Sequence, residues 1–118
     1  MRDSTGEIKI YDILMDAGLP FEEEYTFPDL MTKSGRHLRF DFAVFDDLGD
    51  LDFLIEFQGR QHYVPVKKWG GYRAVQKQKY NDSQKKKYCL EHNIKLVTIP
   101  YYDENKLNYD YIMRAAGY

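Results

Sequence analysis

The segment LRFDFAVFDDLGDLDFLIEFQ, residues 38–58, decides the fold of this 118-residue chain. Aromatic and aliphatic residues alternate with polar ones in its two halves, which predicts two β-strands. Between these halves, the acids and the glycine of DLGD at 47–50 favour a tight hairpin turn. If the turn is centred between Leu48 and Gly49, residue i pairs with residue 97 − i, and Asp41 lies opposite Glu56.

This register gives the hairpin two different faces. One face is entirely apolar and consists of Phe40, Phe42, Val44, Phe53, Ile55 and Phe57. The other face is mixed and consists of Arg39, Asp41, Ala43, Asp52, Leu54, Glu56 and Gln58. A slip of one residue would mismatch the faces of the two strands, so the pattern favours the assumed register.

Asp41 and Glu56 form a candidate functional pair on the mixed face. Directly opposed residues have Cβ atoms about 4.5–5.5 Å apart, and two carboxylates at that distance repel each other. A positive partner is therefore expected, and the candidates are Arg39, a shared proton or a divalent metal. Oxygen ligands select a hard cation such as Mg²⁺, for which His62 is a poor ligand. The alternative is that both acids only solvate an exposed sheet face.

The flanking sequence predicts the remaining elements of one domain over 1–118. Ser4 and Glu7 resemble a capping box that begins a helix at about 5–17, which Gly18-Leu19-Pro20 ends. A short strand over 22–27 is expected to end at Pro28. Further along, composition and periodicity predict a helix over about 73–92, a strand over 94–101 and an optional helix over 104–116. The predicted order is α-β-β-β-α-β, with an optional terminal helix.

Several function classes are excluded or disfavoured by composition. The single cysteine, Cys89, excludes an internal disulfide framework and a zinc site built from several thiolates. No apolar leader and no stretch long enough to span a bilayer is present, so no membrane association is expected. We therefore expect a cytoplasmic protein.

Charge is divided unevenly along the chain. Residues 1–59 hold fourteen acids and five bases, residues 60–87 hold one acid and nine bases, and residues 88–118 hold four acids and three bases. A basic segment that follows an acidic one can form a surface that faces phosphate groups. The alternative is a solvated helix face.

Four motifs in order resemble those of a known family. They are RFDF at 39–42, IEFQG at 55–59, DSQKKKYC at 82–89 and IKLVTIPY at 94–101. Together with the element order, they resemble the PD-(D/E)XK nuclease superfamily, and in particular its very-short-patch-repair-like and phage-type endonucleases. The resemblance extends from Glu7 to Tyr101.

The resemblance implies an α/β fold, with a restriction-endonuclease-like αβββαβ core and a mixed central sheet. It implies hydrolysis of DNA phosphodiester bonds with Mg²⁺, for which Mn²⁺ can substitute, in a bacterial or phage-infected cell. Asp41, Glu56 and the backbone carbonyl of Phe57 match the metal ligands of the family. Glu7 matches an acid found on the first helix of many members, although helix capping accounts for it equally well.

One position departs from the family pattern. Gln58 stands where the superfamily usually has lysine, and an amide offers neither positive charge nor a titratable proton. The missing charge is then expected from Lys85 or from Arg39, which lies beside Gln58 in the assumed register. His62 is interpreted as a phosphate contact or proton shuttle, with a plain hydrogen-bonding residue as the alternative.

The basic segment is the expected contact with DNA. Candidate backbone contacts are Lys67, Lys68, Arg73, Lys77 and Lys79. Trp69 and Tyr72 can stack on an unpaired base, or they can flank the turn at Gly70-Gly71. Two cuts on two strands would require a homodimer. The alternative function is a catalytically weak or inactive subunit that keeps the nuclease fold and binds DNA or assembles with other proteins.

Overall fold

The computed structural model describes residues 5–60 and 70–118. Its elements are α1 (Thr5–Asp16), β1 (Phe21–Met31), β2 (His37–Phe45), β3 (Leu51–Gln58), α2 (Gly71–Glu91), β4 (Lys95–Pro100), a 3-10 helix (Tyr101–Lys106) and α3 (Tyr109–Ala115). The predicted order of helices and strands is confirmed. No helix within these described residues combines the length and the apolar character that crossing a membrane requires.

Within the described residues, four strands form one mixed sheet in the order β1-β2-β3-β4. The strands β1, β2 and β3 are antiparallel neighbours, whereas β3 and β4 are parallel. Parallel neighbours need a long crossover connection, and α2 lies in the connection between β3 and β4. The fold is therefore of the mixed α/β class.

The predicted hairpin register is confirmed over its central pairs. Phe42 pairs with Ile55, Ala43 with Leu54 and Val44 with Phe53, and the two residue numbers of each pair sum to 97. The register shifts by one residue next to the turn, where Phe45 pairs with Leu51.

Helices pack on both faces of the sheet and create two apolar clusters. The α1-side cluster contains Ile10, Leu14, Phe42, Val44, Phe53, Ile55, Phe57, Val97, Ile99, Leu107, Ile112 and Ala116. The α2-side cluster contains Leu30, Leu38, Phe40, Ala43, Leu54, Tyr88 and Cys89. Tyr88 and Cys89 of α2 pack in this second cluster, whereas Tyr72, Lys79, Lys86 and Leu90 of the same helix are exposed.

The prediction that Phe40 shares a face with Phe42 is wrong. Phe40 packs in the α2-side cluster, whereas Phe42 packs in the α1-side cluster. The neighbouring strand β1 changes faces at the same level, since Phe21 packs against the α1-side cluster and Tyr25 packs against the α2-side cluster. At this level Glu24 has a φ of 51°, a left-handed conformation that is uncommon for residues other than glycine. The kink in both strands reverses the alternation.

Strand β1 also differs from its predicted length. It continues past Pro28 to Met31 instead of ending at the proline, and its pairing with β2 shifts register between Thr26 and Met31. Because β1 is an edge strand, a proline can sit at such an irregularity without removing a hydrogen bond from the centre of the sheet.

The terminal helix predicted over 104–116 is divided in two. A 3-10 helix comes first, and α3 begins after Asn108, whose Oδ1 accepts a hydrogen bond from the backbone N–H of Tyr111 at 2.8 Å. Asparagine at this position is a favoured helix N-cap, which explains where the second piece begins.

The start of α1 is fixed against the end of β3 by a glycine. Gly6 is buried, and a Cβ at this position would overlap the ring of Phe57. The absence of a side chain therefore lets the first turn of α1 approach the strand that carries Glu56.

We expect Gly6→Ala to lower the free energy of unfolding by about 1–3 kcal/mol, because the added methyl group overpacks the ring of Phe57. A loss of stability would point to this contact, because replacing glycine by alanine in a helix normally adds about 0.5–1 kcal/mol of stability. Urea denaturation measures the change. In the Phe57→Leu background, which removes the ring, the loss caused by Gly6→Ala should be smaller. A Gly6→Ala variant as stable as the wild type would contradict this packing.

Candidate functional site

The central strands separate at one end of the sheet. The pairing of β2 with β3 runs up to Phe42 and Ile55. Beyond this pair, among the described residues, β2 pairs with β1 alone and β3 continues to Gln58 paired with β4. The two middle strands therefore form a fork, and this fork is the candidate site.

Asp41 and Glu56 occupy the first position inside the fork. Asp41 Oδ2 accepts a hydrogen bond of 2.7 Å from the backbone N–H of Phe57, so its carboxylate bridges to β3 where the backbone ladder has ended. This contact holds the side chain of Asp41 between the strands, next to Glu56. The geometry thus brings together the two carboxylates that the hairpin register predicts as a pair.

Glu56 is the one charged side chain that is buried among the residues that the structure describes, with 6% of its surface exposed. The pKa of Glu56 is raised to about 8, because burial and the charges of Asp41 and Asp82 raise it by more than the nearby ammonium of Lys85 lowers it. This value already includes the effect of Lys85, so in the absence of a metal ion the carboxyl group of Glu56 holds its proton near neutral pH.

Lys85 is the positive group that lies against Glu56. Its Nζ donates a hydrogen bond of 2.6 Å to Oε1 of Glu56, and 12% of its side chain is exposed. The ammonium also lies 5.5 Å from the centroid of the Phe40 ring. The kink that turns Phe40 toward α2 therefore provides the apolar wall beside this ion pair.

Arg39, the other candidate for the positive partner, is engaged elsewhere. Its Nη1 donates a hydrogen bond of 2.7 Å to Oε1 of Glu24, and both side chains are well exposed. The fork explains this difference, because β2 no longer pairs with β3 at Arg39 and the predicted proximity of Arg39 to Gln58 depended on that pairing.

Asp82 joins the site, although the sequence analysis assigned it no role. It lies on α2 three residues before Lys85, and its Oδ2 is 3.4 Å from Nε2 of Gln58, a long hydrogen bond. The i, i+3 spacing of Asp82 and Lys85 was a signal that could have placed both on one side of the helix.

An open pocket of about 420 Å³ lies beside the fork, and it contains one of the predicted DNA-contacting lysines. The described residues that line it are Gln58, Lys79, Asp82, Ser83, Lys86, Lys87 and Leu90. Lys77 is two residues from Lys79, which corresponds to about 200° around the helix, so these two lysines lie on different sides of α2. Arg73 is on the same side as Lys77, since the two are four residues apart.

Glu7 is a further predicted site residue within the described part of the chain. Glu7 is half-buried in the first turn of α1, next to Gly6. The predictions for His62, Lys67, Lys68 and Trp69 fall outside the described residues, as does Ser4 of the capping box.

The carboxylates of the fork fit a hard divalent cation. Two adjacent acids, one of them buried with a raised pKa, gain from a positive charge between them, and oxygen ligands suit Mg²⁺. Over 5–60 and 70–118, no cluster of three or more His, Cys, Asp or Glu side chains is arranged to hold a metal. Magnesium is commonly held by only one or two carboxylates together with substrate phosphate oxygens, so a two-carboxylate site remains sufficient.

Comparison with known proteins gives one partial match and no family. No family model matches the chain, and no solved structure matches it. A protein of Frog virus 3 (isolate Goorha), described as "Uncharacterized protein 094L", is 45% identical over 53 residues. The match covers 43% of this chain and 34% of the viral protein, so the chain spans about a third of that relative's length.

We expect Glu56→Gln to gain stability relative to the wild type as the pH rises from about 5 to about 8 in metal-free buffer. The raised pKa means that folded Glu56 holds a proton which the unfolded chain has already released, so wild-type stability falls through this window. The difference should grow by at most about 1.4 kcal/mol per pH unit. Urea denaturation with chelator at several pH values measures it.

Asp47→Asn is the matched control, because Asp47 is exposed in the hairpin turn. The free energy of unfolding of Asp47→Asn should change with pH in the same way as that of the wild type. A stability difference between Glu56→Gln and wild type that does not change with pH would show that the pKa of Glu56 is not raised.

Proposed function

We propose that this chain is a metal-dependent endonuclease domain that hydrolyses DNA phosphodiester bonds with Mg²⁺ or Mn²⁺. The observation that carries the proposal is the buried carboxylate of Glu56, held beside Asp41 and hydrogen-bonded by Lys85 at 2.6 Å. Burying a charge is costly, and such arrangements cluster at functional sites. The restriction-endonuclease-like αβββαβ core belongs to the same proposal, and the mixed sheet and the order of the elements support it.

The fork gives each residue a distinct role in hydrolysis. Asp41 and Glu56, with the backbone carbonyl of Phe57, would hold the metal at the open end of β3. When bound, Mg²⁺ supplies Lewis-acid chemistry that activates water and neutralises charge on phosphate oxygens. Gln58 lies on the same strand at the edge of the pocket, where its amide can hydrogen-bond a phosphate oxygen or a water molecule.

Lys85 is proposed to provide the charge that the family usually draws from the position of Gln58. Its ammonium reaches the carboxylate of Glu56 from the middle of α2. A lysine on this helix could therefore place its charge where a strand lysine at the position of Gln58 would place it. A fixed positive charge in a partly buried site stabilises the negative charge that develops on a phosphoryl group in the transition state.

The second candidate is a DNA-binding subunit that keeps the nuclease fold without activity. The observation that favours it is Gln58 in the position of the family lysine, with its amide directed to Asp82 at 3.4 Å. Under this alternative, Lys85 and Glu56 form a structural ion pair only.

We expect Asp41→Asn and Glu56→Gln each to lower the rate of Mg²⁺-dependent DNA cleavage by at least about a thousandfold. Both substitutions remove a metal ligand while keeping the size of the side chain. The assay follows labelled linear, branched and single-stranded DNA with and without Mg²⁺.

Asp47→Asn changes the same functional group outside the fork and should cut at close to the wild-type rate. Cleavage by Asp41→Asn or Glu56→Gln at the wild-type rate would contradict the site. Wild-type protein that binds the labelled DNA but does not cut any of the substrates with Mg²⁺ or Mn²⁺ would instead support the inactive subunit.

A further inference from the structure

One side of α2 carries a regular row of exposed side chains beside the fork. We call this row the lysine flank, and it consists of Tyr72, Lys79, Ser83, Lys86 and Leu90. Their spacings of seven, four, three and four residues place them along one line parallel to the helix axis. From Tyr72 to Leu90 the line is about 27 Å long, at 1.5 Å per residue.

The lysine flank adjoins the candidate site directly. Lys79, Ser83, Lys86 and Leu90 line the same open pocket as Gln58, two residues after Glu56 on β3. A strand that lies along the flank therefore passes the fork near its middle.

The flank is positively charged within an acidic protein. The helix α2 contains six basic residues and two acids, although the chain as a whole has a net charge of −2. Lysines placed along a line at the mouth of an acidic site suit a polyanion with regularly spaced phosphate groups. About eight stacked nucleotides span the flank, at 3.4 Å per phosphate along one strand.

The ends of the flank are apolar and exposed. Tyr72 has 68% and Leu90 has 76% of its surface exposed. In duplex DNA the faces of the bases are stacked on each other, whereas an unpaired strand offers them to aromatic side chains. Basic residues in line with an exposed aromatic side chain are typical of surfaces that bind single strands.

We propose that the lysine flank binds an unpaired strand of the DNA substrate, so that the substrate class is single-stranded or branched DNA and not an uninterrupted duplex. This inference rests on the proposed nuclease function. Lys79 and Lys86 contact phosphates, and Tyr72 stacks on a base.

The test measures binding apart from cleavage. Fluorescence anisotropy in chelator compares a labelled single strand of about 20 nucleotides, more than twice what the flank holds, with a blunt duplex of the same length. The wild type should bind the single strand more tightly. Tyr72→Ala should weaken single-strand binding by about tenfold, and Tyr72→Phe, which keeps the ring, should not.

The double variant Lys79→Gln/Lys86→Gln tests the phosphate contacts. It should reduce the salt slope of single-strand binding by about 1.4, since each contact contributes about 0.7. The control with the same change in charge is Lys33→Gln/Arg36→Gln, two exposed residues in the turn between β1 and β2, which should keep the wild-type slope.

Tighter binding of the duplex by the wild type, or an equal effect of Tyr72→Ala on both DNAs, would overturn the inference. Mg²⁺-dependent cleavage would still stand in that case. Conversely, loss of single-strand binding in Tyr72→Ala, in a protein that cuts no DNA, would support the flank and reject the nuclease.

Discussion

The short contact between Lys85 and the buried carboxyl group of Glu56 is the constraint on which the rest of the structure depends. A carboxylate with only 6% of its surface exposed, next to a second carboxylate, is unfavourable unless a positive group balances it. The helix α2 packs on the face of the sheet that carries Leu54 and brings that group to Glu56, with Nζ of Lys85 at 2.6 Å from Oε1. The position of α2 next to the end of β3 therefore determines whether Lys85 can reach Glu56.

The kink at Glu24 and Asp41 makes this arrangement possible. In a regular pair of strands, Phe40 would face α1 together with Phe42, and the side chain of Lys85 would lie beside a polar surface. Because the alternation reverses at the kink, Phe40 and Leu38 pack under α2 instead. The left-handed backbone of Glu24 is a conformation that costs about 1 kcal/mol or more, and such strain is found where the surrounding structure holds a functional site in place.

The sequence was sufficient for the order of the elements and for the central hairpin register, because both follow from local periodicity and turn residues. The same periodicity failed for Phe40. A kink that affects two neighbouring strands together keeps the register of their pairing, so the alternation of residues 38–45 carries no sign of it. The sequence pattern also does not show that β2 separates from β3. It therefore could not exclude Arg39, which in the structure contacts Glu24. In contrast, helical periodicity could have predicted that Asp82 and Lys85 share one side of α2. It could also have predicted that Lys77 and Lys79 lie on different sides.

Binding of a divalent cation is the measurement that tests the fork most directly. Isothermal titration calorimetry with Mn²⁺ detects the site without DNA and without turnover. If Asp41 and Glu56 hold the metal, the wild type and Asp47→Asn should each bind one ion per chain at this site, and Glu56→Gln should lose that binding. An isotherm of Glu56→Gln equal to that of the wild type would contradict a metal site in the fork.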